Sequence, residues 1–348
     1  MVEASGVLST RKKAILNILV RDYIHTASPV GSAQVARHPA LGVSPATVRN
    51  DMAELEEEGY ISRRHVSGGG VPSDKGYRFY VEHMGQDHQP PSDMRWLVQH
   101  RFRVVSREPE AWSRVAATIL SQAVRNVAMV TFPSAIQSRL KYLQLVRLQE
   151  FLALLVLVLQ SARVRQQLLR LPDNVAQQDL TALANKLSAR FAEKDRHQMA
   201  VMPAEEVSPL EALVTREAHS LMEAEDRAAF RDVWVEGLRH MLAQPEFASG
   251  QRAREVAEVV EDRELVSNLL TAVQGHPGVC VLIGEENGRD LLRPFSVVLC
   301  QYGIPGQSMG VVGVMGPTRL DYTTAIAGVQ YISLCMGRLL AGLYGYSP

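Results

Sequence analysis

The spacing of hydrophobic positions changes several times along the chain, and each change marks a new element. Ile15, Ile18, Leu19 and Tyr23 recur at helical intervals behind Ser9-Thr10, which can cap the helix they predict. Ser28-Pro-Val-Gly-Ser32 reads as a turn, with Ser32 capping a short helix over 33–37 that Pro39 stops. Ser44 followed by Pro45 is a strong start signal for a third helix, which runs to Glu58 and ends at Gly59. Gly68-Gly69-Gly70 permits a tight turn between β-compatible flanks, so residues 60–72 predict a hairpin with Arg63, Arg64 and His65 on its rising strand. Ser73 then caps a helix through Met84. This order of elements predicts a winged helix-turn-helix.

Residues 85–93 are polar, hold two prolines and read as a linker. Helical spacing resumes over Glu110 to Val124, and then the period shortens. Asn126 to Pro133 is β-rich, Lys141 to Leu148 alternates in part, and Phe151 to Leu159 is continuously apolar, as in a strand buried on both faces. Past Pro172 the pattern is mostly helical as far as Val273, with one short strand over Asp232 to Glu236. Strands return at 278–284, 295–302 and 309–315, and a helix from about Tyr322 to Leu343 closes the chain. Strands, helices and strands again suggest a sheet domain interrupted by an insertion. The reading is an α+β multidomain chain: 1–84 winged helix, 85–93 linker, 94–171 and 273–348 sheet domain, and 172–272 a largely helical insertion.

Composition narrows the class. At about 150 residues per domain, 348 residues make two or three domains. With 46% hydrophobic and 21% charged residues, disorder over the whole length is excluded. Lys+Arg 37 balances Asp+Glu 37, which excludes a strongly cationic protein. The longest apolar run, Phe151 to Leu159, is far short of the roughly 20 residues of a bilayer helix, so no membrane span is expected. No apolar leader opens the chain, and three cysteines without a CxxC pair give neither a disulfide framework nor a zinc site. A reducing cytoplasm is the expected location.

The third helix carries the candidate chemistry. At 100° per residue, Val48, Met52 and Leu55 share one side, while Ala46, Asn50 and Ala53 lie opposite, flanked by Thr47 and Arg49. A small, polar outer face can enter a major groove, where Asn reads adenine, Arg reads guanine or grips phosphate, and an Ala methyl touches thymine. Glu54, Glu56, Glu57 and Glu58 crowd the far end and should repel phosphate, so only the first two turns are expected deep in the groove. The candidate DNA contacts are Ser32, Ser44, Ala46, Thr47, Arg49, Asn50, Arg63, Arg64 and His65. Ser9 to Asn50 holds six basic residues and one acid, against ten and nine over residues 1–85, so non-specific affinity should be modest.

No HExxH, nucleophile elbow, Walker loop or dinucleotide fingerprint is present, and the ten histidines show no metal spacing. Neither catalysis nor a metal or cofactor is expected. His276 and Cys280 are close in sequence, but Cys280 sits in an apolar strand pattern and reads as structural. Asp321 reads as a helix cap and Arg319 as ordering the adjoining loop.

Leu8 to Leu16, Pro29-Val-Gly-Ser32, Val43 to Met52, Leu55 to Gly59, Gly76 to Val81, Phe295-Ser-Val-Val298 and Gly316 to Tyr322 resemble the heat-inducible transcription repressor family HrcA. The matches stand in order near both ends and span nearly the whole chain. The resemblance implies a winged helix, a GAF-like domain and a dimerising domain inserted in the GAF-like sheet. It also implies a homodimer on an inverted-repeat operator upstream of chaperone genes, relieved on heat shock, with a GroEL chaperonin keeping the repressor active. The runner-up is a small-molecule-sensing GAF-type regulator whose winged helix is secondary or mediates protein contacts. One departure stands out: the family wing has an arginine where this chain has Gly70. Arg63 and Arg64, across the hairpin, are candidates to supply that charge.

Overall fold

A computed structural model describes residues 8–63, 68–85, 89–105, 109–133, 138–161, 163–201, 208–228, 233–262, 266, 269, 273, 278–304 and 308–345. α1 (Thr10–Thr26) starts where Ser9 Oγ accepts the Lys12 N–H at 3.3 Å, and its buried face includes Ile15, Ile18 and Leu19. α2 (Ser32–Ala36) is capped by Gly31. The cap expected of Ser32 is corrected: Gly31 holds the extended cap conformation, so Ser32 is already helical and makes no cap bond. α3 (Pro45–Glu57) begins as its sequence predicts, with Ser44 Oγ accepting the Thr47 N–H at 3.2 Å, and it buries Val48, Met52 and Leu55. Gly59, at φ +78°, turns the chain out of α3, and the Tyr60 N–H returns to the Leu55 carbonyl at 2.8 Å. β1 (Ile61–Ser62) pairs antiparallel with β2 (Val71–Pro72), and Gly70 adds a bridge to Val30. α4 (Asp74–His83), capped by Ser73, buries Tyr77 and Phe79.

The chain continues through α5 (Ser92–Val104), α6 (Pro109–Val124), β3 (Val127–Thr131), β4 (Leu140–Gln149), β5 (Leu152–Leu159) and β6 (Val164–Arg170). Then come α7 (Gln177–Phe191), α8 (Arg196–Val201), α9 (Pro209–Ala228), β7 (Val233–Glu236), α10 (Leu238–Leu242) and α11 (Gly250–Glu261). β8 (Val279–Ile283), β9 (Phe295–Ile304), β10 (Ser308–Pro317) and α12 (Tyr322–Leu343) complete the described elements. Five strands form one sheet in the order β7-β3-β10-β9-β8, with β3 antiparallel to β10 and β8 to β9. All of β3 is buried, as its short β-rich sequence requires when both faces are covered. α12 is, by length and composition alone, apolar enough to cross a membrane. Here it is a core helix: Ala325, Ala327, Val329 and Ile332 are buried, and Gly328 lets it approach Leu120 and Met94.

Two compact units divide the chain. One comprises Met1–Val130, Trp234–Gln301 and Val312–Cys335, so the winged helix clusters with most of the five-stranded sheet. The other comprises Thr131–Val233, Tyr302–Val311 and Met336–Pro348. In the second unit β4, β5 and β6 form their own antiparallel sheet. Leu143, Leu145, Leu155 and Leu157 on one face of it pack in a core with Leu180 and Leu187 of α7 and Val214 of α9. The longest segment of this second unit, Thr131–Val233, combines the three-stranded sheet with helices α7, α8 and α9. β5 differs from the strand buried on both faces that its sequence suggests. Its residues alternate between half-buried and buried, so this chain covers one face fully and the other only in part. A continuous apolar run looks the same in sequence whether its second face meets the same chain or another.

Candidate nucleic-acid interface

The outer face of α3 lies where its periodicity puts it. Ser44, Ala46, Arg49 and Asn50 are exposed, and Thr47 and Ala53 are half-buried. Neither Arg49 nor Asn50 has a hydrogen-bond or ion-pair partner among the described residues. Both are therefore available to a ligand. The Thr47 hydroxyl is shared with Ser44 Oγ at 3.0 Å, so these two act as one polar corner at the start of the helix. Ser32, half-buried, opens α2.

Arg63 is placed differently from its expectation. Its side chain is 7% exposed and it grips Glu56: the backbone N–H donates to Oε1 at 2.9 Å and Nε to Oε2 at 2.7 Å. A buried guanidinium that has its carboxylate has no reason to exchange it for a solvated phosphate. Arg63 is corrected from a DNA contact to a brace between α3 and the wing. Arg64 and His65 lie outside the described residues.

The acidic end of α3 is also less repulsive than its composition implies. Lys12 Nζ stands 2.6 Å from Glu54 Oε2 and 2.8 Å from Glu58 Oε1, and the hydrogen bonds to these two carboxylates push the Lys12 ammonium up. Arg63 neutralises Glu56, which leaves Glu57 without an ion-pair partner among the described residues. Each such surface pair is worth little to stability, but together they cancel most of the local negative field. Sequence reasoning missed one further tie. Arg11 donates twice to Asp51, at 2.7 and 2.9 Å, and the Asp51 side chain is only 4% exposed. The signal was available, because position 51 falls on the helix side of Val48 and Met52, where an ionised group needs a partner.

Position 70 faces inward. A Cβ on Gly70 would lie 3.0–3.1 Å from Leu19, Ile61 and Met52. The proposed exchange of charge across the hairpin is thus corrected, since a side chain here starts into the core and not along the DNA-facing edge. Gly70→Arg should lower winged-helix stability by about 1–3 kcal/mol through overpacking, without gaining operator affinity. Chemical denaturation beside a binding titration checks both halves.

Elsewhere Asp321 caps α12, accepting the Thr324 N–H at 3.2 Å and its hydroxyl at 2.7 Å, as its sequence position predicts. Burial pushes the Cys280 and Cys300 thiols up, away from the reactive thiolate. His276 lies outside the described residues. Among the described residues no cluster of three His, Cys, Asp or Glu could hold a metal.

A three-helix core with an exposed, partner-free helix face and a two-stranded wing defines a helix-turn-helix DNA-binding protein. Residues 34–75 match the DeoR-like helix-turn-helix domain, and residues 110–326 match the HrcA protein C terminal domain. The heat-inducible transcription repressor HrcA of Dehalococcoides mccartyi is 38% identical over 346 residues, covering 98% of this chain and 99% of that protein. The HrcA of Herpetosiphon aurantiacus is 36% identical over 344 residues, covering 97% of each. A crystal structure titled only as that of a hypothetical protein shares the fold, with a TM-score of 0.60 at 22% identity over 97% of this chain and 99% of the other. The chain belongs to the HrcA family of heat-inducible transcription repressors. It acts by binding DNA, not as an enzyme.

Proposed function

We propose that this repressor binds an inverted-repeat operator upstream of chaperone genes as a cytoplasmic homodimer. Heat stress releases it, and a GroEL-type chaperonin restores the active fraction. The observation that carries the DNA contact is the outer face of α3, where Asn50 and Arg49 stand exposed beside Ala46. Asn50 and Arg49 read base edges, while Ser44, Thr47 and Ser32 meet phosphate. The five-stranded sheet is the GAF-like core and Thr131–Val233 is the dimerising insertion. The apolar outer face of the β4-β5-β6 sheet, where Tyr142, Leu148, Val164 and Leu168 are exposed, supports dimerisation there. Ligand sensing has less behind it: the clefts described are open ones around Phe151 and Arg170, at the turn between β4 and β5.

Gel shifts with the inverted repeat, at stated salt, test the reading. Affinity should fall reversibly on mild heating, because a weakly stabilised dimer loses its native form over a narrow range. Adding chaperonin should raise the active fraction. Affinity that is indifferent to both heat and chaperonin would transfer the signal to a ligand.

A further inference from the structure

Two polar clasps join the winged helix to the rest of its compact unit, and both depend on arginines remote from α3. Arg319 lies between β10 and α12. Its Nη1 donates to the Ile24 carbonyl at 3.1 Å, in the last turns of α1. Its Nη2 donates to Gln244 Oε1 at 2.6 Å and to Glu246 Oε2 at 3.1 Å, and Nε completes the pair with Glu246. Arg78, on α4, donates to the Val281 carbonyl of β8 at 2.6 Å and pairs bidentately with Glu286 in the 3-10 turn Gly284–Asn287. Asp74 strengthens this second clasp by accepting the Glu285 N–H at 3.0 Å. Gly284 makes that approach possible: it sits at φ +55°, and a Cβ there would fall 1.8 Å from Asp74 Oδ2. Between the clasps the buried rings of Tyr77 and Tyr322 pack with centroids 6.0 Å apart.

The chemistry suits orientation rather than binding. A guanidinium is a rigid planar fork, and here each fork spends part of its donor set on a backbone carbonyl. A carbonyl cannot swing to follow its partner, so these bonds fix the elements themselves. Ile24 and Val281 belong to elements far apart in sequence, on opposite sides of the joint. The winged helix is thereby held by two independent sets of bonds, which restricts its rotation about either one.

We infer that Arg319 and Arg78 are positioning residues for operator binding. They fix the winged helix on its sheet so that the recognition helices of two copies stand at one set separation. The inference rests on the homodimer reading above. A symmetric dimer gains from its second half-site only as far as the second module is held where that half-site lies. A loosened joint dilutes that effective concentration and leaves each α3 intact.

The experiment compares wild type, Arg319→Ala, Arg78→Ala and the double variant, with fold checked by near-ultraviolet circular dichroism and dimer by sedimentation. Each is titrated against the full operator, a single half-site, and operators whose half-site spacing is changed by a few base pairs. Full-operator affinity should fall about tenfold or more, half-site affinity should stay unchanged, and the double variant should tolerate altered spacing better than wild type. Equal losses on half-site and full operator, or an unchanged spacing preference, would overturn the proposal. Should Arg319→Ala not fold, Glu246→Gln, which keeps shape and loses the charge, carries the same expectation. If dimeric wild type gains nothing from a second half-site, the clasps have nothing to position and the proposal fails. If wild type is monomeric, the homodimer reading fails first.

Discussion

Asn50→Ala should cost operator affinity about 1–3 kcal/mol, the range of a good bidentate contact to a base edge. The side chain stands exposed on the first half of α3, with no protein partner among the described residues, so its removal breaks nothing internal. Alanine is the better helix former, so thermal stability should hold or rise slightly. Those two opposed outcomes, weaker binding on an equally stable protein, separate a reading role from a structural one. The loss should also be uneven across sequences. Replacing a base-reading amide relaxes preference at one base pair of each half-site, whereas loss of a phosphate contact weakens all sequences alike. A titration against operators substituted at each position, at constant salt, checks both the size and the pattern. A folded Asn50→Ala protein that binds with wild-type affinity and selectivity would mean that the outer face of α3 does not enter the groove.

The winged helix was legible because its determinants are local. Ser44 and Pro45 start α3, Gly59 ends it, and the spacing of Val48, Met52 and Leu55 names its inner face; each signal lies within a few residues of what it controls. Arg63 was misread because its partner, Glu56, was counted only as an acid at the end of the helix and not as the carboxylate that the chain returns to from Gly59. The joints made by Arg78 and Arg319 were beyond sequence reasoning altogether. Their partners lie across folded elements, and nothing in the local pattern of α4 or of the loop before α12 points to them. Which strands share a sheet was illegible for a third reason. The strands over 141–148 and 151–159 were read as strands and β6 was not, but even a strand that is read does not announce which sheet it joins. Only the pairing of β7 with β3 brings 233–236 back to the first sheet and leaves β4, β5 and β6 to the second.

Leu168→Glu should convert the repressor to a monomer and abolish high-affinity operator binding. Leu168 lies on β6, opposite Leu154 of β5, and is 59% exposed in the single chain. A glutamate there meets mostly water when the chain is alone, so folding should change little. In a dimer closed over this face the same carboxylate would be desolvated, at a cost on the order of several kcal/mol without a partner. Two-fold symmetry doubles the penalty, since a self-complementary interface carries every substitution twice. β5 supplies the reason to choose this face over any other. Leu154, Val156 and Val158 present a second apolar surface that the chain itself leaves half-covered, while Leu155, Leu157 and Leu159 fill the core beneath. The decisive pair of measurements is sedimentation and far-ultraviolet circular dichroism on the same sample. A monomer with native secondary structure places the interface on the β4-β5-β6 face. A Leu168→Glu protein that remains dimeric with full affinity moves it elsewhere, and the half-exposed face of β5 would then need another occupant.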